Sequence, residues 1–208
     1  MRLNNYIIEK NEKNDKIEKH LSLIKSKCKK AVNVMIRSER GIWRGIEIYD
    51  DLIIRNVRKD RRPKHSVLKY SNFLDNALKK KFGWKPRSEG LFVTGSASIA
   101  DDYGNLYLVF PTGNFKFIWN EKIQDFYTFL YSGGTDEFTK KETIQKQVDT
   151  EFTDKNIEKG LKSWNEIMIK ADEYFGIKIY RNEEWIKNVD ILFKTYFGDK
   201  FNIKDMLR

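Results

Sequence analysis

The chain opens with a helical stripe. Ile17, Leu21, Ile24 and Cys28 recur at intervals of four, three and four among lysines and glutamates, which predicts an amphipathic helix over residues 5–30. Residues 31–36 (Ala-Val-Asn-Val-Met-Ile) read as extended, and 37–41 as a polar turn. Ile42-Trp43-Arg44-Gly45-Ile46 is an apolar, strand-like run holding one charge. Period-two alternation continues to Tyr49, breaks at Asp50-Asp51 and resumes at Leu52-Ile53-Ile54. Pro63 marks 58–63 as a loop. From Ser66, Leu68, Phe73, Leu74, Ala77 and Leu78 fall mostly on one helical face, with Lys79 to Lys81 and Gly83 as the stop.

A second loop, 84–88, leads to the strand Leu91-Phe92-Val93. The turn Thr94-Gly95-Ser96 follows, then a short helix carrying Ile99, Ala100 and Tyr103. Residues 105–110 and 115–119 read as strands around a turn at 111–114. The stretch 123–131 reads as a helix or mixed segment, 132–135 as a flexible break, the polar stretch 137–154 as a mobile loop or surface helix, and 155–161 as a helical turn. A carboxylate then stands at the mouth of an apolar strand in Asn165-Glu166-Ile167-Met168-Ile169. Another strand covers 176–180, and a last helix turns Trp185, Val189, Leu192 and Phe193 inward. This order of elements predicts an α+β fold rather than alternating βαβ units.

With 208 residues, 40% hydrophobic and 14% aromatic, the chain suffices for one domain with its own core. No apolar run approaches the roughly 18 residues of a membrane span, and the start lacks an apolar signal core, so a cytoplasmic protein without a membrane partner is expected. One cysteine and two histidines, His20 and His65, are poor material for a metal centre, and none is expected. His20 reads as part of a polar helix face. The charge is local: residues 55–87 hold twelve Lys and Arg against Asp60 and Asp75, which equals the net +10 of the whole chain. Such asymmetry points to an anionic partner, a dinucleotide pyrophosphate or a nucleic-acid backbone, with a solvated basic face as the plain alternative.

Three stretches together resemble the ADP-ribosyltransferase superfamily, the NAD-consuming fold of bacterial toxins, phage transferases and poly(ADP-ribose) polymerases. Ile42-Trp43-Arg44-Gly45 is similar to its first core strand, which carries Arg-Gly or His-Gly. Leu91 to Ser96, with Ala100 and Tyr103 after it, resembles the strand ending in a small-residue turn. Asn165-Glu166-Ile167-Met168-Ile169 resembles the glutamate entering an apolar strand. Two departures stand out: Gly95 where the toxin motif has its central Thr, and Trp164 two residues before Glu166, where arginine-modifying toxins carry Glu or Gln. The second makes arginine side chains a doubtful acceptor. The resemblance covers residues 31–180 and implies a split β-sandwich with flanking helices. Residues 1–30 would pack on this core as a helix, and 181–208 would complete the same domain.

The resemblance also implies roles. Glu166 would hold the ribose 2′-hydroxyl of NAD and face the positive charge that develops as the nicotinamide bond breaks, a transition-state interaction akin to those of glycoside hydrolysis. Arg44 suits the pyrophosphate or adenosine ribose, Gly45 would let its backbone reach the nicotinamide amide, Ser96 or Thr94 would bond the ribose or orient Glu166, and Tyr103 would stack on nicotinamide. As catalytic residues this gives Glu166, Arg44 and Ser96. Arg58, Arg61, Arg62 and Trp164 are expected at the target. The expected activity is mono-ADP-ribosyl transfer, in a toxin or phage effector acting in the host cytoplasm if phage-borne, to a nucleic acid or a nucleic-acid-associated protein. A non-catalytic basic nucleic-acid-binding domain is the competing class. An RNA 2′-phosphotransferase is disfavoured by the scarcity of histidine, and water can compete as acceptor.

Overall fold

The computed structural model describes residues 2–62, 68–124 and 136–207. Helix α1 (Arg2–Lys27) leads into α2 (Lys29–Ser38), then strands β1 (Trp43–Ile46) and β2 (Leu52–Asn56). Helix α3 (Leu68–Phe82), the single turn α4 (Pro86–Glu89), β3 (Leu91–Val93) and α5 (Ala97–Asp101) follow. Next come β4 (Asn105–Pro111), β5 (Lys116–Asn120), α6 (Glu137–Thr150), β6 (Phe152–Thr153) and α7 (Ile157–Lys162). The chain closes with β7 (Ile167–Lys170), β8 (Glu173–Lys178), α8 (Glu183–Phe197) and α9 (Ile203–Met206).

The described strands form two four-stranded sheets, ordered β1-β4-β8-β2 and β3-β7-β5-β6, antiparallel throughout. This is an α+β architecture. The sheets touch where β1 meets the end of β3: the Trp43 amide donates to the Thr94 carbonyl at 2.8 Å and the Thr94 amide returns the bond at 3.0 Å.

Alternation along the second sheet splits its side chains between two apolar clusters. Ile167, Ile169 and Trp119 join the main core, which runs from Ile17 in α1 to Met206 in α9. Met168 and Ile118 point the other way, into a smaller cluster with Leu74 and Leu78 of α3 and Ile144 and Val148 of α6. Trp43 is fully buried in the main core, and its indole donates to the Met206 carbonyl at 3.2 Å, tying the C-terminus to the first strand.

Four expectations change. Residues 31–36 lie inside α2, not in a strand: Ala31, Val34, Met35 and Ser38 are buried at i, i+3, i+4 and i+7, a helical period that the β-branched content masks. Residues 86–89 form the turn of helix α4 within the expected loop. His20 is buried rather than on a polar face, because α1 lies on the first sheet and sets the imidazole edge-on to Phe175 at 5.2 Å. β1 also stops at Ile46, leaving Tyr49 exposed. The polar stretch after Glu137 is a surface helix capped by Asp136, held by Ile144 and Val148. The stripe Ile17, Leu21, Ile24 and Cys28 is buried as expected. Burial pushes the Cys28 thiol up to about 12, which makes it unreactive. The expected segments at 125–131 and 132–135, and His65, lie outside the described residues. Among the described residues no helix is long and apolar enough to cross a membrane.

Burial lowers the pKa of His20 below its ordinary value near 6.5, against a hydrogen bond to the Gly176 backbone that raises it. A histidine depressed in the folded state favours folding fully above the unfolded pKa, and that contribution is lost as pH falls through about 6.5 toward the folded pKa. The melting temperature is therefore expected to drop between pH 7.5 and 5 by more in the wild type than in His20→Leu. Equal drops measured by thermal denaturation would remove His20 as the cause.

Candidate functional site

A cleft of about 1110 Å³ opens between the sheets beside the Trp43 and Thr94 junction. β1 and β2 contribute from the first sheet, β3 and the residues before β7 from the second. Arg44, Gly45, Thr94, Tyr103, Trp164 and Glu166 line it, as do Arg58, Arg61 and Arg62. Ser96 is not among the lining residues. Its hydroxyl accepts the Ile99 amide at 3.3 Å as the N-cap of α5.

Arg44 stands opposite Tyr107 in the β1 and β4 ladder and reaches across the junction, where Nη1 donates to the Phe92 carbonyl at 2.6 Å. It does not snorkel to the surface. Its Nε is buried and has no hydrogen-bond partner among the described residues. Desolvation lowers its pKa, and Tyr174 and Glu166 oppose that shift. Next to it, Gly45 is required by packing: a Cβ there would lie 2.1 Å from the Ala100 carbonyl oxygen. That contact seats α5 on β1 and brings Tyr103, 63% exposed, to the cleft.

The turn after β3 is fastened to the approach to β7. Thr94 Oγ1 donates to the Trp164 carbonyl at 3.0 Å and accepts the Ser96 amide at 3.2 Å. Gly95 answers to the same contact, since a Cβ would fall 1.8 Å from the Leu161 carbonyl oxygen. This is the physical reason a threonine has no room there. Trp164 takes a positive φ of 64° and leaves its side chain 48% exposed in the cleft, not in the core. Asn165 is buried and donates from Nδ2 to the Asn120 and Glu121 carbonyls at 2.8 and 3.2 Å, while the Glu166 amide donates to the Gln124 carbonyl at 3.0 Å. Those bonds fix the backbone on which Glu166 projects.

Glu166 Oε1 accepts from Arg87 Nη1 at 3.1 Å, with both side chains mostly buried. Arg87 belongs to α4, and α4 is held by Asp75 of α3, whose buried carboxylate accepts the Arg87 and Ser88 amides at 2.6 and 3.0 Å. The Arg61 amide donates to the Ser88 carbonyl at 3.0 Å, so the same turn also anchors the arginine loop. The guanidiniums of Arg61 and Arg87 both lie on the Phe92 ring, 4.0 and 5.1 Å from its centroid. Arg61 Nη1 is buried and has no hydrogen-bond partner among the described residues. Burial, and after it the positive charge of Arg44, pulls the pKa of Arg61 down to about 10. Arg58 and Arg62 are exposed at the rim, Arg58 in a loose pair with Asp60 at 3.7 Å.

Sequence reading passed over Arg87, Asp75 and Arg55, all within the basic stretch. Asp75 was its one helical acid, and an acid on the apolar face of a helix was the available signal. Six of the eleven arginines in the chain line this cleft, against Glu47, Asp102 and Glu166, and none of the described lysines does. Guanidinium is planar, stacks on rings and bonds phosphate in two-pronged fashion, which an ammonium cannot do. Among the described residues no group of three acids, histidines or cysteines could hold a metal ion.

Comparison of the chain with protein-family models, with curated proteins and with solved structures finds no match. The chemistry of the cleft is therefore read from its own residues.

Asp75→Ala removes the acceptor of two buried amides and is expected to destabilise the protein by about 1–3 kcal/mol, with Asp75→Asn intermediate because one acceptor oxygen remains. Urea unfolding measures both. Wild-type stability in Asp75→Ala would show that α4 is held by other contacts.

Proposed function

We propose that the chain is an NAD-dependent mono-ADP-ribosyltransferase with an ADP-ribosyltransferase-like split β-sandwich, acting in the cytoplasm. The observation that carries this reading is the meeting of Arg44, Thr94 and Glu166 in one cleft. They come from three separate stretches of chain, and the cleft lies where two antiparallel sheets part. A structural ion pair alone would account for Glu166 and Arg87; it leaves unexplained why both sit in a cleft where Arg44 Nε and Arg61 Nη1 are buried without hydrogen-bond partners among the described residues.

The residues fit the dinucleotide. Arg44 and Arg61 present buried N–H donors suited to a diphosphate. Tyr103 offers an exposed ring for nicotinamide, and Glu166 would supply negative charge to the ribose as it becomes positive. The C–N bond to nicotinamide breaks with its electron pair leaving on nicotinamide, an acceptor lone pair forms the new bond to the ribose carbon, and the acceptor proton passes to solvent. Thr94 replaces Ser96 as the hydroxyl in the cleft; its bond to Trp164 makes it a positioning residue for the turn before Glu166.

The six arginines also favour a second reading, a basic domain that binds nucleic acid without chemistry. Release of nicotinamide from NAD separates the two. The enzyme reading expects release that Glu166→Gln lowers by about a hundredfold or more, with the variant folded and still binding NAD. Absence of release with water, nucleic acid and cell lysate alike would leave only the binding reading.

A further inference from the structure

The arginines of the cleft fall into two tiers. Arg44, Arg61 and Arg87 form the inner one, gathered around Phe92 and Glu166. Arg55, Arg58 and Arg62 form the outer one, on β2 and the loop after it, all exposed and all facing the same cleft. With Arg87 paired to Glu166, Arg44 and Arg61 already match the two charges of one dinucleotide diphosphate. The outer three are surplus to NAD, yet the fold places arginine there while the described lysines of the same basic stretch go elsewhere: Lys81, for example, is spent on the carbonyls of Val148, Asp149 and Phe152.

A solvated face serving solubility has no use for this sorting, because lysine does that work as well as arginine. Repeated phosphates do need it. The cleft also presents two large aromatic side chains to solvent, Trp164 and Tyr103. Trp164 is held out by a left-handed backbone conformation, which L side chains adopt only where surrounding contacts enforce it, and here the contact is the Thr94 hydrogen bond to its carbonyl. It stands two residues before Glu166, and both line the cleft. A ring at that position can stack an unpaired base next to the carboxylate, and a base reaches such a cleft only when it is out of a duplex.

We propose that the acceptor is a single-stranded nucleic acid, its phosphates on Arg55, Arg58 and Arg62 and an unpaired base stacked on Trp164 beside Glu166. This rests on the transferase reading for its chemistry, but the groove itself binds strands without NAD. The transfer would join the ribose carbon of NAD to a ring or exocyclic nitrogen, or an oxygen, of that base, with nicotinamide leaving and the displaced proton going to solvent.

Fluorescence anisotropy with labelled single-stranded and duplex oligonucleotides of the same sequence, over a salt series and without NAD, tests the groove. The expected result is tighter binding of the single strand. Arg55→Gln/Arg62→Gln should flatten the slope of log affinity against log salt by about 1.4, at ~0.7 per lost phosphate contact. Trp164→Ala should weaken binding on the order of tenfold or more, with Trp164→Phe retaining most of it. Glu166→Gln should still bind, so a dead enzyme and an absent groove are told apart. Labelled NAD then reports the product, and label on the oligonucleotide is expected. Duplex preferred over single strand, a salt slope unchanged in the double variant, binding indifferent to Trp164→Ala, or label on protein and not on the strand would each overturn the proposal.

Discussion

The two hydrogen bonds exchanged by Trp43 and Thr94 are the hinge point of the molecule. They form an isolated bridge between the two sheets, and the buried Trp43 beneath them, bonded to Met206, keeps that place from shifting. Everything in the cleft is measured from this junction. Arg44 is the next residue along β1, and the turn that follows Thr94 touches the approach to Glu166. Gly45 and Gly95 remove the two Cβ atoms that would hold α5 and α7 away from it. The close approach of backbone to backbone is the geometric condition for the site.

The second constraint is charge. Guanidiniums drawn out of water lose hydration, and the depressed pKa values of Arg44 and Arg61 register that loss. The fold offsets part of it with the Phe92 carbonyl, the Phe92 ring and Glu166. It leaves Arg44 Nε and Arg61 Nη1 as buried donors without partners among the described residues, an arrangement that an anionic ligand would complete. Asp75 works at a distance from this: by accepting the amides of α4 it fixes the backbone under Arg87, and through Ser88 the backbone of Arg61. One buried acid thus orders two cations of the cleft.

Local patterns were legible in the sequence wherever one face of an element is buried. The stripe Ile17, Leu21 and Ile24 of α1, the strands at 91–93 and 167–170 and the glycine stop of α3 follow from periodicity and turn chemistry. Residues 31–36 show the limit: Val and Ile favour strands, and packing against α7, α1 and β4 lets the 3.6-residue period of α2 prevail. His20 shows it again. Its helix was evident, but which flank of a broad apolar stripe is covered depends on the sheet beneath.

The sequence by itself determined that the chain is mixed helix and strand, that it carries one local excess of positive charge, and that a lone arginine and a lone glutamate enter apolar strands. These are properties of neighbours along the chain. That Arg44 and Glu166 share a cleft, that Arg87 completes it, and that arginines rather than the described lysines of the basic stretch line it were decided only in three dimensions. Antiparallel pairing brings together residues more than a hundred positions apart, and desolvation then distinguishes two cations that look alike in a charge count.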